Sequence, residues 1–315
     1  MSRRPRAAAP LRLLLVLAFT ALAAFAPGGA SAQNFLWRVS SLTNHVYLFG
    51  TIHAGRPEWY PLPRAVEQAF KDSRELVVEA DVTDERAMVE SSARSIYKLP
   101  DTLSKHVPAE DFARFMELLH AYQLPESEVV QLKPFMAVSV LVFAEWAREG
   151  YVPQLSVDAY LIRMAKAELK PVVELEGVEA QSKLIDSLTD EESRTVFAGT
   201  LTALEKGLAD EQIRGMVKAW QVGDPNAMLD VVRKYDEKVP GATALEEKFI
   251  WSRNPAMVER IAGWLDGPKD PRLIAVGALH LVGPRGLVEA LRSRGFVVQQ
   301  LFVAPEPERG NVPGK

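Results

Sequence analysis

Two apolar runs near opposite ends of the chain finish in the same local frame. The first is Val46-Tyr47-Leu48-Phe49-Gly50-Thr51-Ile52-His53, and the second is Leu273-Ile274-Ala275-Val276-Gly277-Ala278-Leu279-His280. Each is an apolar run, then Gly-x-x-His, then a Pro/Gly-marked helix start. Short continuous apolar runs of this kind read as buried strands. As neighbouring strands they require the two chain ends to fold against each other. Both imidazoles then project from one sheet edge into one cleft. The chain has five histidines in 315 residues, so a repeated frame singles out His53 and His280. His45 lies in a turn, and His106 and His120 lie in helical or loop context without a matching frame. Two occurrences do not establish an internal repeat.

The first residues read as an export signal rather than as part of the fold. Arg3, Arg4, Arg6 and Arg12 form a basic stretch, and Leu13 to Phe25 is an apolar core. Ala30-Ser31-Ala32 is a small-residue cleavage site. Residues 1–32 are therefore expected to be a secretory signal peptide, which places the mature chain in the periplasm or outside the cell. The Arg3-Arg4 pair does not by itself separate the two export routes. Removing four arginines makes the mature chain more acidic than the full-length net charge of −4. That charge argues against nucleic-acid partners. The absence of cysteine rules out disulfides, thiol catalysis and Cys-ligated zinc. After signal cleavage no apolar run is long enough for a membrane span.

The remaining pattern interleaves strands with helices. Strands are expected at Phe35–Val39, Val46–Phe49, Glu75–Glu79, Pro171–Glu176, Leu273–Val276 and Phe296–Val303. Helices are expected at Pro63–Phe70, from the Thr83-Asp84 cap to about Tyr97, from Ser156 through Leu169, and over Gly286–Arg294. Between these, Phe112, Phe115, Met116, Leu119 and Tyr122 keep helical spacing, as do Val138, Val142 and Trp146. Helix breaks fall at 189–190, 207–210, 223–225 and 239–241. The expectation is an α/β fold over residues 33–303. Its central, mostly parallel sheet is built from both chain ends and flanked by helices, with a large helical insertion at about 101–265. The tail 304–315, rich in Pro, Glu and Gly, is expected to be disordered.

Sites in open α/β sheets form beyond the carboxyl ends of strands. His53, Glu79, Glu176 and His280 all fall at such ends. Two neutral imidazoles and a carboxylate suit a divalent cation with open positions for water and substrate. Such a metal activates water, and a second carboxylate takes the proton. Each residue also has a plainer role. Glu79 can pair with Arg74, and Glu176 can cap the helix after Gly177. Arg253, before a helix start, can form a surface salt bridge instead of clamping an anion. Asp158, in a first helical turn, is accounted for by the helix dipole. Gly50 and Gly277 are expected where the backbone turns sharply or approaches another segment.

On these motifs the chain resembles the TraB/PrgY/GumN family, which includes the animal TIKI proteins. The resemblance rests on Leu48-Phe49-Gly50-Thr51-Ile52-His53-Ala54-Gly55, Tyr60-Pro61-Leu62-Pro63 and Leu76-Val77-Val78-Glu79. It continues through Ser156-Val157-Asp158, Lys170-Pro171-Val172-Val173-Glu174-Leu175-Glu176, Arg253-Asn254-Pro255-Ala256-Met257 and Ala275-Val276-Gly277-Ala278-Leu279-His280. It implies a fold related to erythromycin esterase and the haem-binding ChaN proteins. It also implies a metal-dependent protease activity favouring Mn²⁺ or Co²⁺, with Zn²⁺ an alternative. Carried onto this sequence, the paired histidines are His53 and His280, the strand-end glutamate is Glu79, the Leu-Glu glutamate is Glu176, and the arginine is Arg253.

The resulting expectation is an exported metal-dependent hydrolase acting on peptides or proteins. His53, Glu79 and His280 hold the metal, Glu79 or Glu176 is the base, and Arg253 stabilises negative charge or anchors a substrate carboxylate. Two alternatives remain. One is a metal-independent, esterase-like hydrolase. The other is a non-enzymatic envelope protein that binds haem or a peptide.

Overall fold

A computed structural model of the chain describes residues 33–302. The signal-peptide and tail expectations lie outside those residues. Six strands are present: β1 (Gln33–Ser40), β2 (His45–Thr51), β3 (Glu75–Val78), β4 (Val172–Glu174), β5 (Arg272–Gly277) and β6 (Val297–Phe302). They form one sheet in the order β4-β3-β5-β2-β1-β6. β4, β3, β5 and β2 run parallel, while β1 pairs antiparallel with β2 and β6. Helices flank the sheet, as expected for an α/β fold.

The apolar runs are strands because both faces of the central sheet are covered. Val46, Leu48, Leu76, Val77 and Leu273 to Val276 are fully buried. Parallel strands covered on both sides lose the alternation of a half-exposed strand. Edge strand β6 differs, with Val297 exposed and Val298 half-buried. The main core lies on this sheet. A second apolar cluster, including Leu103, Phe115, Leu141, Phe197 and Leu201, is built by the helices of the middle section. β4 enters the sheet from within that section, pairing Val78 with Glu174.

Local chemistry explains the helix limits. The Asp84 carboxylate caps the helix Glu85–Arg94 at the Ala87 amide, 3.1 Å away. That helix stops before the expected Tyr97. The Tyr97 amide is drawn to the Gln131 carbonyl (2.7 Å), and the Lys133 amide to the Ser95 carbonyl (2.8 Å). Ser156 caps Val157–Ala167, and Thr189 with Glu192 forms a capping box. Gly207, Gly223 and Gly241 take left-handed conformations at the expected breaks. Among the described residues, no helix is long and apolar enough to cross a membrane.

The two matched frames meet as adjacent parallel strands, but one residue out of step. Gly50 lies beside Val276, and Thr51 beside Gly277. Strand side chains alternate between faces, so this offset puts the two glycines on opposite faces of the sheet. Neither glycine serves a sharp turn. A Cβ on Gly50 would lie 2.5 Å from Phe35 Cδ1 and 3.1 Å from the Ala278 Cα. Gly50→Ala is therefore expected to lower stability by about 1–3 kcal/mol through overpacking. Urea unfolding should show a lower midpoint with an unchanged slope. A wild-type midpoint would show that the close approach is unimportant.

Candidate functional site

The parallel strands β3, β5 and β2 end side by side, and the residues following them form a cleft. Glu79 is the first residue beyond β3. Its Oε1 accepts the Gly277 amide at 2.6 Å, and its Oε2 accepts Gln181 Nε2 at 3.1 Å and Arg253 Nη2 at 2.5 Å. Glu176 is brought alongside because the Glu176 and Gly177 amides both donate to the Glu79 carbonyl, at 3.0 and 2.9 Å. The plainer roles of these residues are not the ones adopted. Arg74 pairs with Asp270, and Gly177 begins the next helix without a side-chain cap. The Glu176 carboxylate faces Arg253 instead.

Arg253 reaches the cleft from the join between two helical segments. A π-helical turn, Glu247–Trp251, precedes it, and the helix Asn254–Leu265 follows. Arg253 Nη1 donates to the Phe249 carbonyl of that turn at 2.6 Å. Its Nε lies 2.9 and 3.1 Å from the two Glu176 oxygens, and Nη2 donates to both Glu176 and Glu79. Nη1 also lies 3.2 Å from His280 Nε2. All five guanidinium hydrogens thus have protein acceptors. With a side chain 13 % exposed, Arg253 is the internal counter-charge of two carboxylates rather than a surface ion pair.

The two histidines are oriented by the same device on different scaffolds. His280 sits on the short 3-10 turn Ala278–Leu281, and its side chain is 4 % exposed. Its Nδ1 lies 2.6 Å from Asn254 Oδ1. Asn254 Nδ2 is committed to the Arg285 carbonyl at 2.8 Å. The network therefore assigns the proton to His280 Nδ1 and leaves the Nε2 lone pair to accept from Arg253 Nη1 at the cleft. His53 lies in the loop after β2, and its side chain is 65 % exposed. Its Nδ1 is 2.9 Å from Asp158 Oδ2, while Thr51 Oγ1 donates to Asp158 Oδ1 at 2.6 Å. A Cβ placed on Gly277 would lie 3.3 Å from both His53 Nε2 and Glu79 Oε1, and 3.7 Å from His280 Cδ2. Gly277 thus keeps open the point where the three side chains converge.

Charge states follow from these neighbours. The Asp158 carboxylate pushes His53 up to about 9. Burial pushes His280 down to about 4, so it is neutral at physiological pH. Burial would raise Glu79, but His280, Arg253, His53 and the Gly277 amide together bring it down to about 2. Burial opposes the charge on Arg253, but Glu176 and Glu79 hold its proton more firmly than usual.

Asp158 and Asn254 are the residues whose roles the sequence pattern hid. Both stand in a first helical turn, where local capping or dipole effects explain them adequately. Only the return of distant strands shows that each orients a histidine. His45, His106 and His120 are not brought into the cleft. His106 instead binds Asp101 and stacks on Tyr97, and His120 binds Glu126.

The donor set suits a divalent cation in kind. Two imidazoles have their Nδ1 atoms tied back, and a glycine leaves space between them and one carboxylate. The spacing is looser than a ligand shell. Among the described residues, no three His, Asp or Glu side chains are gathered closely enough to hold an ion. Arg253 stands between Glu79 and His280.

The fold and the cleft define an α/β protein with a two-histidine, two-glutamate, one-arginine centre at the sheet's carboxyl edge. The chain belongs to the TraB/PrgY/gumN family, whose model matches residues 35–300. It is 25 % identical over 269 residues to the uncharacterized protein YbaP of Escherichia coli K12, covering 82 % of this chain and 94 % of that one. It is 24 % identical over 343 residues to a metalloprotease TIKI homolog of Amphimedon queenslandica, covering 93 % of this chain and 66 % of the relative. It is 25 % identical over 333 residues to metalloprotease TIKI2 of Xenopus tropicalis, covering 88 % and 62 %. The chain thus spans under two thirds of that animal protein's length. No solved structure matches the chain.

Two outcomes test this geometry. In metal-free protein, Asp158→Asn should lower the His53 pKa from about 9 towards its ordinary 6.5, read from the imidazole resonances. The raised pKa adds stability that is complete below the unfolded value of 6.5 and lost as pH rises through about 9. The variant's stability deficit should therefore shrink over that interval. Arg253→Met leaves two partly buried carboxylates unpaired and should cost about 3–5 kcal/mol at neutral pH. Arg253→Lys should recover only part of that loss, because an ammonium cannot reproduce the fork.

Proposed function

We propose that the protein is an exported hydrolase that cleaves peptide bonds. A divalent metal would be held by His53, His280 and Glu79. The observation that carries this reading is the paired orientation of the histidines. Asp158 and Asn254 tie down Nδ1 of the two rings, with His280 Nε2 3.7 Å from Glu79 Oε1 and His53 Nε2 bordering the same space over Gly277 as that oxygen. When bound, the metal supplies a more acidic water and polarises the scissile carbonyl. Mn²⁺ or Co²⁺ is favoured by the resemblance to TIKI proteins, and Zn²⁺ fits the same donors.

The protein's own residues account for the remaining chemistry. Glu176 and Glu79 lie on either side of Arg253; with Glu79 held down at about 2 by its neighbours, Glu176 is the better placed of the two to take a proton at the cleft. Arg253 holds both carboxylates in place and balances their charge. In this arrangement its donors are engaged, so anchoring a substrate carboxylate requires one of them to be released. Asp158 fixes the His53 ring against the helix Val157–Ala167, and Asn254 fixes His280 within the core. Peptides or proteins outside the cytoplasm are the proposed substrates. Export rests on the basic and apolar pattern of residues 1–32.

One observation favours a second reading, a metal-independent hydrolase. Arg253 already occupies the Glu79 and His280 sides of the cleft, and His53 carries a proton up to about pH 9. There, protonated His53 would act as the general acid, with no metal needed.

Metal analysis of the purified protein, with peptide cleavage measured before and after chelation, separates the two readings. The proposal expects near-stoichiometric metal, loss of cleavage on chelation, and loss of both metal and activity in His53→Ala/His280→Ala. Unchanged metal content in the double variant would sink the assigned ligands. Cleavage that survives exhaustive chelation would favour the second reading.

A further inference from the structure

Beside the cleft, on the β1 side of β2, lies an aromatic pocket of about 170 Å³ lined by Phe35, Phe49, Trp59, Pro63, Trp220 and Gln221. Phe35, Phe49 and Trp220 are buried, Trp59 is half-buried, and Pro63 and Gln221 are exposed at the mouth. We propose that this pocket is a substrate subsite that receives one large apolar or aromatic side chain flanking the bond to be cleaved.

Position, polarity and size all support that occupant. The pocket is lined by Phe49, four residues before His53. Trp220 Nε1 donates to the Gly50 carbonyl at 2.7 Å. Gly50 in turn packs on Phe35 and on Ala278, the residue after Gly277. Trp59 belongs to the same loop as His53 and packs on Trp220, the rings tilted by 40° with centroids 4.8 Å apart. The loop that carries His53 therefore also supplies part of the pocket. The Trp220 indole N–H is already used, and the wall is otherwise mainly carbon, so an apolar group is favoured. The volume is well below the roughly 300–1,000 Å³ of pockets that hold cofactor-sized or drug-sized molecules. It suits one side chain and is too small for haem.

This inference rests on the peptidase reading, so its test has an arm that needs no turnover. N-acetyl-phenylalaninamide and N-acetyl-alaninamide are titrated into the protein while the indole N–H resonances of Trp59 and Trp220 are followed. The phenylalanine compound should shift both signals and the alanine compound should not. Gln221→Trp, which narrows the mouth at an exposed position, should abolish the shift, while Gln221→Ala should retain it. In a peptide library, cleavage should favour Phe, Leu, Met or Trp at one position next to the cut. Gln221→Trp should reduce the Phe-to-Ala cleavage ratio about tenfold or more. Cleavage with no apolar preference, or no shift with the phenylalanine compound, overturns the subsite and leaves the peptidase reading standing. Shifts at both tryptophans with no peptide cleaved uphold the pocket's ligand class and reject the peptidase reading.

Discussion

The parallel pairing of β2 with β5 is the constraint on which the rest of the molecule depends. It places Gly50 beside Val276 and joins segments separated by most of the chain. Closing so long a loop costs little more than closing a shorter one, because closure entropy grows only with the logarithm of length. The intervening helices therefore ride on the sheet at modest entropic cost, and they bury their own apolar cluster around Phe115 and Phe197. Once β3 joins β5, three strand ends point the same way. Glu79, His53 and His280 then meet without any local sequence signal bringing them together.

The cleft formed there is held by charge as much as by packing. Arg253 binds Glu79 and Glu176, from β3 and the end of β4, and lies against His280 beyond β5. One guanidinium thus ties three sheet-end segments to the helix that begins at Asn254. Buried ion pairs often return little net stability after desolvation. What this network supplies is position, holding two carboxylates that would otherwise repel each other and fixing the direction of one imidazole. The π-helical turn before Arg253 contributes a carbonyl acceptor, at Phe249, that completes the guanidinium's bonding. Such widened turns recur at functional sites.

The two histidines show how sequence symmetry and structural symmetry part company. Their frames match residue for residue, yet the strands pair one position out of step. His53 consequently stands in an open loop and His280 on a buried turn. Their proton affinities move in opposite directions, His53 upwards because of Asp158 and His280 downwards because of burial. The adjoining aromatic pocket depends on the same offset, since Gly50 faces Phe35 while Gly277 faces the cleft.

The sequence by itself determined the strands, most helix limits and the residues at the strand ends. Those features depend on short-range rules: apolar runs, Pro and Gly punctuation, and Ser, Thr or Asp caps. The α/β class followed from their alternation, and His53, Glu79, Glu176 and His280 followed from where strands stop. Only the tertiary structure decided the one-residue offset between the matched frames and the partners of each charge. It turned Glu176 from a possible helix cap into a ligand of Arg253, and it turned Asp158 from a dipole-compensating acid into the anchor of His53. The physical reason is that caps and strand runs are set by neighbours a few residues away. Register and ion pairing are set by groups far apart in sequence, 77 residues for Glu176 and Arg253 and 105 for His53 and Asp158, which meet only when the sheet assembles.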